Sequence, residues 1–156
     1  MRIPVVAATV AVVALASCGG PSAEEQRAAA DAARRAARAD SVAQAAAAYD
    51  AAAFDTIQWA NENEMWERGG VVWSFSCATC HGSDGLGEGE TAVAASLDMP
   101  NLIAPDWEKA GDLEAIRRSI YVGHESQMPS WGLVGLKYRD IDAVSHYIED
   151  LLRSKE

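Results

Sequence analysis

The feature that most constrains this chain is the stretch Cys77-Ala78-Thr79-Cys80-His81. Thiols at this spacing stand about one helical turn apart, close enough for both to form thioethers to one edge of a porphyrin. The histidine that follows reaches the iron from the same side. C-x-x-C-H is the attachment signature of c-type haem. Paired cysteines also serve other chemistry, but a thioredoxin-like redox pair needs a strand-helix-strand frame and a zinc site needs two more well-spaced ligands. Neither stands nearby in the sequence. The motif therefore predicts one haem c, bound covalently through Cys77 and Cys80, with His81 on the iron.

The chain has 156 residues, room for one ordinary domain with appendages. It carries 13 Lys and Arg against 23 Asp and Glu, a formal net charge of -10. Such a balance excludes nucleic acid and anionic membrane surfaces as natural partners. It suits a basic docking patch on another protein, or simply a well-solvated surface. Of the 3 cysteines, two belong to the haem motif and Cys18 is left over. An unpaired thiol in an exported protein asks for an explanation.

The N-terminus offers one. Met1-Arg2 is followed by an apolar run from Ile3 to Ala16, the layout of a secretion signal. Its end, Leu15-Ala16-Ser17-Cys18-Gly19, resembles the lipobox of bacterial lipoproteins. That resemblance implies a signal peptide over 1–17 and lipid chains on Cys18, which anchor stably when more than one is present. The competing reading is an uncleaved transmembrane helix, but the run falls short of the roughly 20 residues a span requires. The expected location is the bacterial cell envelope, lipid-anchored to a membrane and facing the periplasm or the exterior, where covalent haem attachment is also completed.

Residues 18–60 read as an alanine-rich stem, and 61–156 as the haem-bearing domain. Ser22 can cap a helix with Glu25 as its capping-box partner, and alanine, the best helix former, dominates from Ala23 to Ala53. A helix from Ser22 to Ala48 would be about 40 Å long. The absence of large residues at heptad positions argues against self-association. A low-complexity linker ordered only by contacts is the alternative. Aromatic residues then appear in quick succession. Trp59, Trp66 and Trp73 recur every seventh position, near one face of any single helix running through them. Trp73 belongs to the core. Trp59 and Trp66 fit either core packing or a docking face, and Asn61 and Asn63 offer a break in the helix.

Two further amphipathic segments follow. Leu113, Ile116, Ile120 and Tyr121 form one apolar face over Asp112 to Val122, closing at Gly123. Ile141, Val144, Tyr147, Ile148 and Leu151 form another from Arg139 to Leu152. Gly69 would let this last helix cross the first closely, with Tyr147 against it. His146 falls on what reads as its solvent face. No alternating strand is evident, so the fold class is all-α.

With these residues in view, the segment from Gly69 to Leu152 resembles a class I cytochrome c. Gly69 and Trp73 match the small residue and aromatic of the family's first helix. His81-Gly82, Asp84-Gly85 and Gly87 resemble its glycine-rich turn. Met99-Pro100-Asn101-Leu102 looks like its Pro-Asn-Leu loop, and Gln127-Met128-Pro129-Ser130-Trp131 like the Met-Pro loop of bacterial members. The resemblance implies a small fold of three to five helices around one covalently bound haem, preceded here by the long N-terminal helix or linker. It also implies that the Pro100 carbonyl accepts a hydrogen bond from His81, fixing the ring and raising its basicity.

The sixth ligand separates electron transfer from chemistry at iron. Met128 is the favoured candidate. It follows a helix and a glycine, sits in a Met-Pro pair whose proline restricts the loop, and is far enough from His81 to cross the haem. Met99 and His124 are the competitors. Trp107 and Trp131 are candidates for indole hydrogen bonds to the propionates, or for core packing around the porphyrin. Asp84, Glu88 and Glu90 make an acidic loop, a solvated turn or a docking rim. The expected function is a membrane-tethered monohaem carrier passing single electrons between a redox donor and acceptor of a respiratory or photosynthetic chain, with no catalytic residues of its own. One alternative is a fixed cytochrome subunit of a larger membrane complex. Another, of a different class, is a haem enzyme or gas sensor with an open distal site.

Overall fold

A computed structural model describes residues 20–155. The expected signal peptide and the lipid attachment at Cys18 lie outside the described residues. Within them no strand occurs, in keeping with the all-α expectation. No helix among them is long and apolar enough to cross a membrane.

Helix α1 runs over Ala23–Ala48 and begins as its capping residues dictate. Glu25 N donates to Ser22 Oγ at 3.2 Å, and Ser22 N donates to Glu25 Oε2 at 2.7 Å. It is one continuous helix with two environments. Every residue from Gly20 to Ala37 is exposed, whereas Val42 and Ala46 pack on the core and Ala45 is fully buried. Alanine's small side chain lets this second half lie close against its neighbours. Tyr49, just past its end, donates to Glu114 at 2.6 Å and packs edge-on against Tyr121 with centroids 5.3 Å apart.

The chain then makes a 3₁₀ turn over Ala51–Thr56, which sinks Phe54 into the core beneath the Arg117 guanidinium. Helix α2 starts only at Glu62, where Asn61 Oδ1 accepts from Glu64 N at 3.0 Å. Trp59 therefore precedes the helix, and the sevenfold tryptophan spacing does not trace one helical face. Both indoles in question are engaged within the chain. Trp59 Nε1 donates to Asp142 at 2.7 Å under the Arg139 guanidinium, and Trp66 Nε1 donates to Asp150 at 3.1 Å.

After α2 (Glu62–Val72) come the short helices α3 (Ala78–His81) and α4 (Glu90–Ala95), then α5 (Leu113–Val122), α6 (Trp131–Val134) and α7 (Tyr138–His146). Asp112 caps α5 by accepting from Ala115 N at 2.9 Å. Helix α7 continues through wider π turns over Tyr147–Leu152. Those turns advance the apolar stripe, so that Leu152 is buried and Leu151, expected there, is only half-buried. His146, expected on the solvent face, is also half-buried. Its Nδ1 lies 3.1 Å from Asp150, and Arg117 reaches across α7 to it because the buried Asp142 carboxylate draws that guanidinium inward.

The frame is closed where α2 crosses α7. A Cβ on Gly69 would stand 2.3 Å from the Ala143 carbonyl oxygen and 2.6 Å from Tyr147 Cβ, so only glycine permits this approach. Because the obstruction is the Ala143 backbone and the Tyr147 Cβ, neither of which can rotate away, neither helix can yield cheaply. Gly69→Ala is expected to destabilise the fold by about 1–3 kcal/mol, the usual cost of overpacking a dense core. Denaturant unfolding of the holoprotein, compared with Gly70→Ala one position away, measures it.

Candidate functional site

The C-x-x-C-H motif sits on the far side of that crossing. Beyond Val72 the helix widens into a π turn over Trp73–Cys77, with Ala78 N bonded back to Trp73 O, and then tightens into α3. A single inserted π turn re-aims the side chains that follow it. Here it leaves Cys77 buried, and Cys80 and His81 half-buried. The helix stops at Gly82, whose φ of 79° turns the chain back. The glycine loop then folds over the motif, with Gly87 N donating to His81 O at 2.9 Å and Gly89 N to Cys80 O at 3.1 Å.

His81 borders a cavity of about 560 Å³, a size typical of cofactor pockets, which run from roughly 300 to 1,000 Å³. Its wall is formed by Leu102, Ile116 and Ile120 from the core, and its rim by polar residues including Glu108, Lys109 and Gln127. Burial holds the His81 imidazole below its usual pKa, so the ring is neutral at pH 7 and able to bind a metal. Its Nδ1 is buried without a hydrogen-bond partner, as is Nε1 of Trp73, whose ring centroid lies 6.0 Å away. Burial, with Cys80 adding to it, pushes the Cys77 thiol up to about 12. A working redox dithiol needs a depressed pKa to make thiolate, so Cys77 is not tuned for disulfide exchange. Among the described residues no three His, Cys, Asp or Glu side chains converge as a metal-binding group.

The Pro-Asn-Leu loop lies against the loop that follows His81. Leu102 N donates to Gly85 O at 2.9 Å, Gly87 packs on the Met99 and Pro100 carbonyls, and Asn101 Oδ1 accepts from Ile103 and Ala104 N. Pro100 lines the cavity, but its carbonyl does not receive His81 Nδ1 in this structure. Arg153 pins the same loop from the C-terminal helix, donating to Leu102 O at 2.7 Å and Ala104 O at 3.1 Å while ion-paired to Glu149. Its reach across 51 residues to the loop carries no local signal.

Met128 lines the cavity with His81 and packs against the core. Met99 and His124 line it too. Met99 stands on the wall shared with Pro100 and Gly87, next to the loop after His81, while His124 is exposed with Nδ1 3.1 Å from Ser126 Oγ. Trp107 also borders the cavity, held by its backbone to Ala104 O. Trp131 does not: it opens α6 and packs against the core beside the cavity. The long Ser119 and Ile116 face of α5 completes the wall. Sequence periodicity marked that face as apolar, though not as part of a pocket.

An orphaned neutral imidazole at the edge of an apolar hollow, with one cysteine directly before it and a buried one a helical turn before, fits covalent haem and no other group considered above. The molecule is a c-type cytochrome. Its sequence makes this more particular: residues 64–148, more than half of the chain, match the family described as cytochrome c oxidase, cbb3-type, subunit III, and the chain belongs to that family. The cofactor of the class is haem c, bound covalently. The chain is 34% identical over 93 residues to the cbb3-type cytochrome c oxidase subunit FixP of Bradyrhizobium diazoefficiens, covering 54% of this chain and 29% of that relative. It is 33% identical over 85 residues to FixP of Azorhizobium caulinodans, covering 54% and 27%. Against subunit CcoP of Cereibacter sphaeroides it is 29% identical over 83 residues, covering 53% and 26%. The match thus spans less than a third of the length of these relatives. No solved structure matches.

Attachment through both thiols has a direct check. Wild-type protein is expected to keep its haem through denaturing electrophoresis, Cys77→Ser and Cys80→Ser to keep less, and the double variant to keep none. Haem staining of the gel reads the result.

Proposed function

We propose that this chain is an electron-carrying haem c unit that works within a membrane redox complex of the cbb3 oxidase type, with His81 and Met128 as the axial ligands of one haem. The observation that carries it is that both residues border one apolar cavity directly after the only C-x-x-C-H in the sequence. Bound haem c supplies one-electron exchange between two oxidation states of iron. The chain's own residues do the rest. His81 offers a neutral ring nitrogen, Leu102, Ile116 and Ile120 keep water from the cavity wall, and Arg153 holds the Pro100 loop behind the histidine. Trp107, which borders the cavity, would donate its indole N–H to a haem propionate.

Two settings were expected from the sequence, a carrier moving on a leash and a fixed subunit. The second has the better support, because relatives bear the names of oxidase subunits; Trp59 and Trp66, engaged within the chain, are not the face that would dock. Electrons then enter from a donor protein and leave to the complex. Lipid on Cys18 holds the chain to a bacterial membrane on its periplasmic side.

Ligation and setting are tested separately. Ferric wild type should show the weak near-infrared band of methionine-bound haem, and Met128→Ala should lose the band, lower the potential and bind carbon monoxide when reduced. A wild type that lacks the band and binds carbon monoxide readily overturns the ligand assignment. Native membranes solubilised gently and then washed at high salt should retain oxidase subunits on the tagged chain. Recovery of the chain alone supports the mobile carrier instead.

A further inference from the structure

The loop that carries Met128 is gripped from three sides, and one grip comes from the N-terminal helix. On the first side, Gly123 ends α5 with φ 76° against the loop: a Cβ there would stand 2.5 Å from Pro129 O. His124 N also donates to Met128 O at 3.0 Å, which closes the turn. On the second, Leu133 N and Val134 N both donate to Ser130 O, tying the loop to α6. On the third lies α1. Ser130 is only 3% exposed, and its hydroxyl meets Ser41 Oγ at 3.2 Å across 89 residues of sequence. Around this bond a groove of about 340 Å³ separates Arg34, Arg38 and Ser41 on the helix from Gln127, Met128 and Pro129 on the loop.

We infer that Ser41 and Ser130 are positioning residues for the distal ligand: their hydrogen bond makes α1 the support behind the Met128 loop. This rests on Met128 being a ligand, as proposed above. A buried hydroxyl needs a partner, and a side-chain bond between two elements resists their separation. The loop is short and has only one proline to stiffen it, so the freedom of Met128 to leave the iron depends on how firmly Ser130 is held. The grip acts on the ligand without touching it. Among the described residues the grip is built from α1, the end of α5 and the start of α6.

The test is competition at the iron. Imidazole displaces a methionine ligand from ferric haem, and its apparent affinity reports how easily the loop lets go. Ser41→Ala and Ser130→Ala are each expected to raise imidazole affinity roughly three- to tenfold, the equilibrium equivalent of one neutral hydrogen bond, and to lower the reduction potential. The double variant should not exceed the larger single effect, because both substitutions remove the same bond. Ser41→Ala places a strong helix former at a half-buried site, so it will fold. Ser145→Ala is the control: that serine is fully buried and bonded to Ile141 O at 2.8 Å, remote in its bonding from the loop, and it should leave imidazole affinity unchanged. If the methionine band is present in wild type but Ser41→Ala and Ser130→Ala bind imidazole like wild type, or Ser145→Ala shifts it equally, the inference is overturned while the ligand assignment stands. If wild type lacks the band, the ligand assignment itself fails.

Discussion

Everything near the haem motif depends on the closeness with which α2 and α7 cross at Gly69. Backbone meets backbone there, and beyond the contact the helix changes pitch in the Trp73–Cys77 π turn. The crossing holds the start of that turn still. The turn then decides where the thiols and His81 point. A looser crossing would leave the motif on a helix free to rotate, and a rotation of one residue on an α-helix is about 100°. A buried stripe of Ile141, Val144, Ile148 and Leu152 keeps α7 in register on the other side.

A second layer of control is electrostatic. Asp142 is a carboxylate only 3% exposed, and it is matched by the Arg117 guanidinium and the Trp59 indole. Breaking one partner of such a buried pair typically costs about 3–5 kcal/mol, because the remaining charge is left without compensation. The network joins the segment after α1, helix α5 and helix α7 in a place where apolar packing alone would allow sliding. Two further arginines bridge segments far apart in sequence: the exposed Arg139 donates to Gln58 O, and Arg153 to Leu102 O.

Much of this was legible in the residues. The capping of α1 by Ser22, the span of α5 between Asp112 and Gly123, and the Gly69 and Tyr147 contact all follow from local chemistry or from a pattern of three and four. What was not legible depended on pitch or on long-range partners. The π turns moved the terminal stripe from Leu151 to Leu152, and no local residue announces a π turn. His146 read as solvent-facing because its partner Arg117 lies on another helix. Trp59 fell out of the tryptophan series because Asn61 restarted the helix after it. At the site, the motif and the two loops were evident from their residues, whereas the reach of Arg153 and the contact of Ser41 with Ser130 join positions that no spacing rule connects.

The exposed and docked halves of α1 have a mechanical meaning beyond packing. From Ala23 to Ala48 there is neither glycine nor proline, so the helix has no hinge at the point where its support begins. It is a cantilever whose free arm extends about 20 Å. Load applied to the tip is not absorbed by bending between the two halves. It arrives as torque at the seat of the beam, on Val42, Ala45 and the tyrosines beneath them.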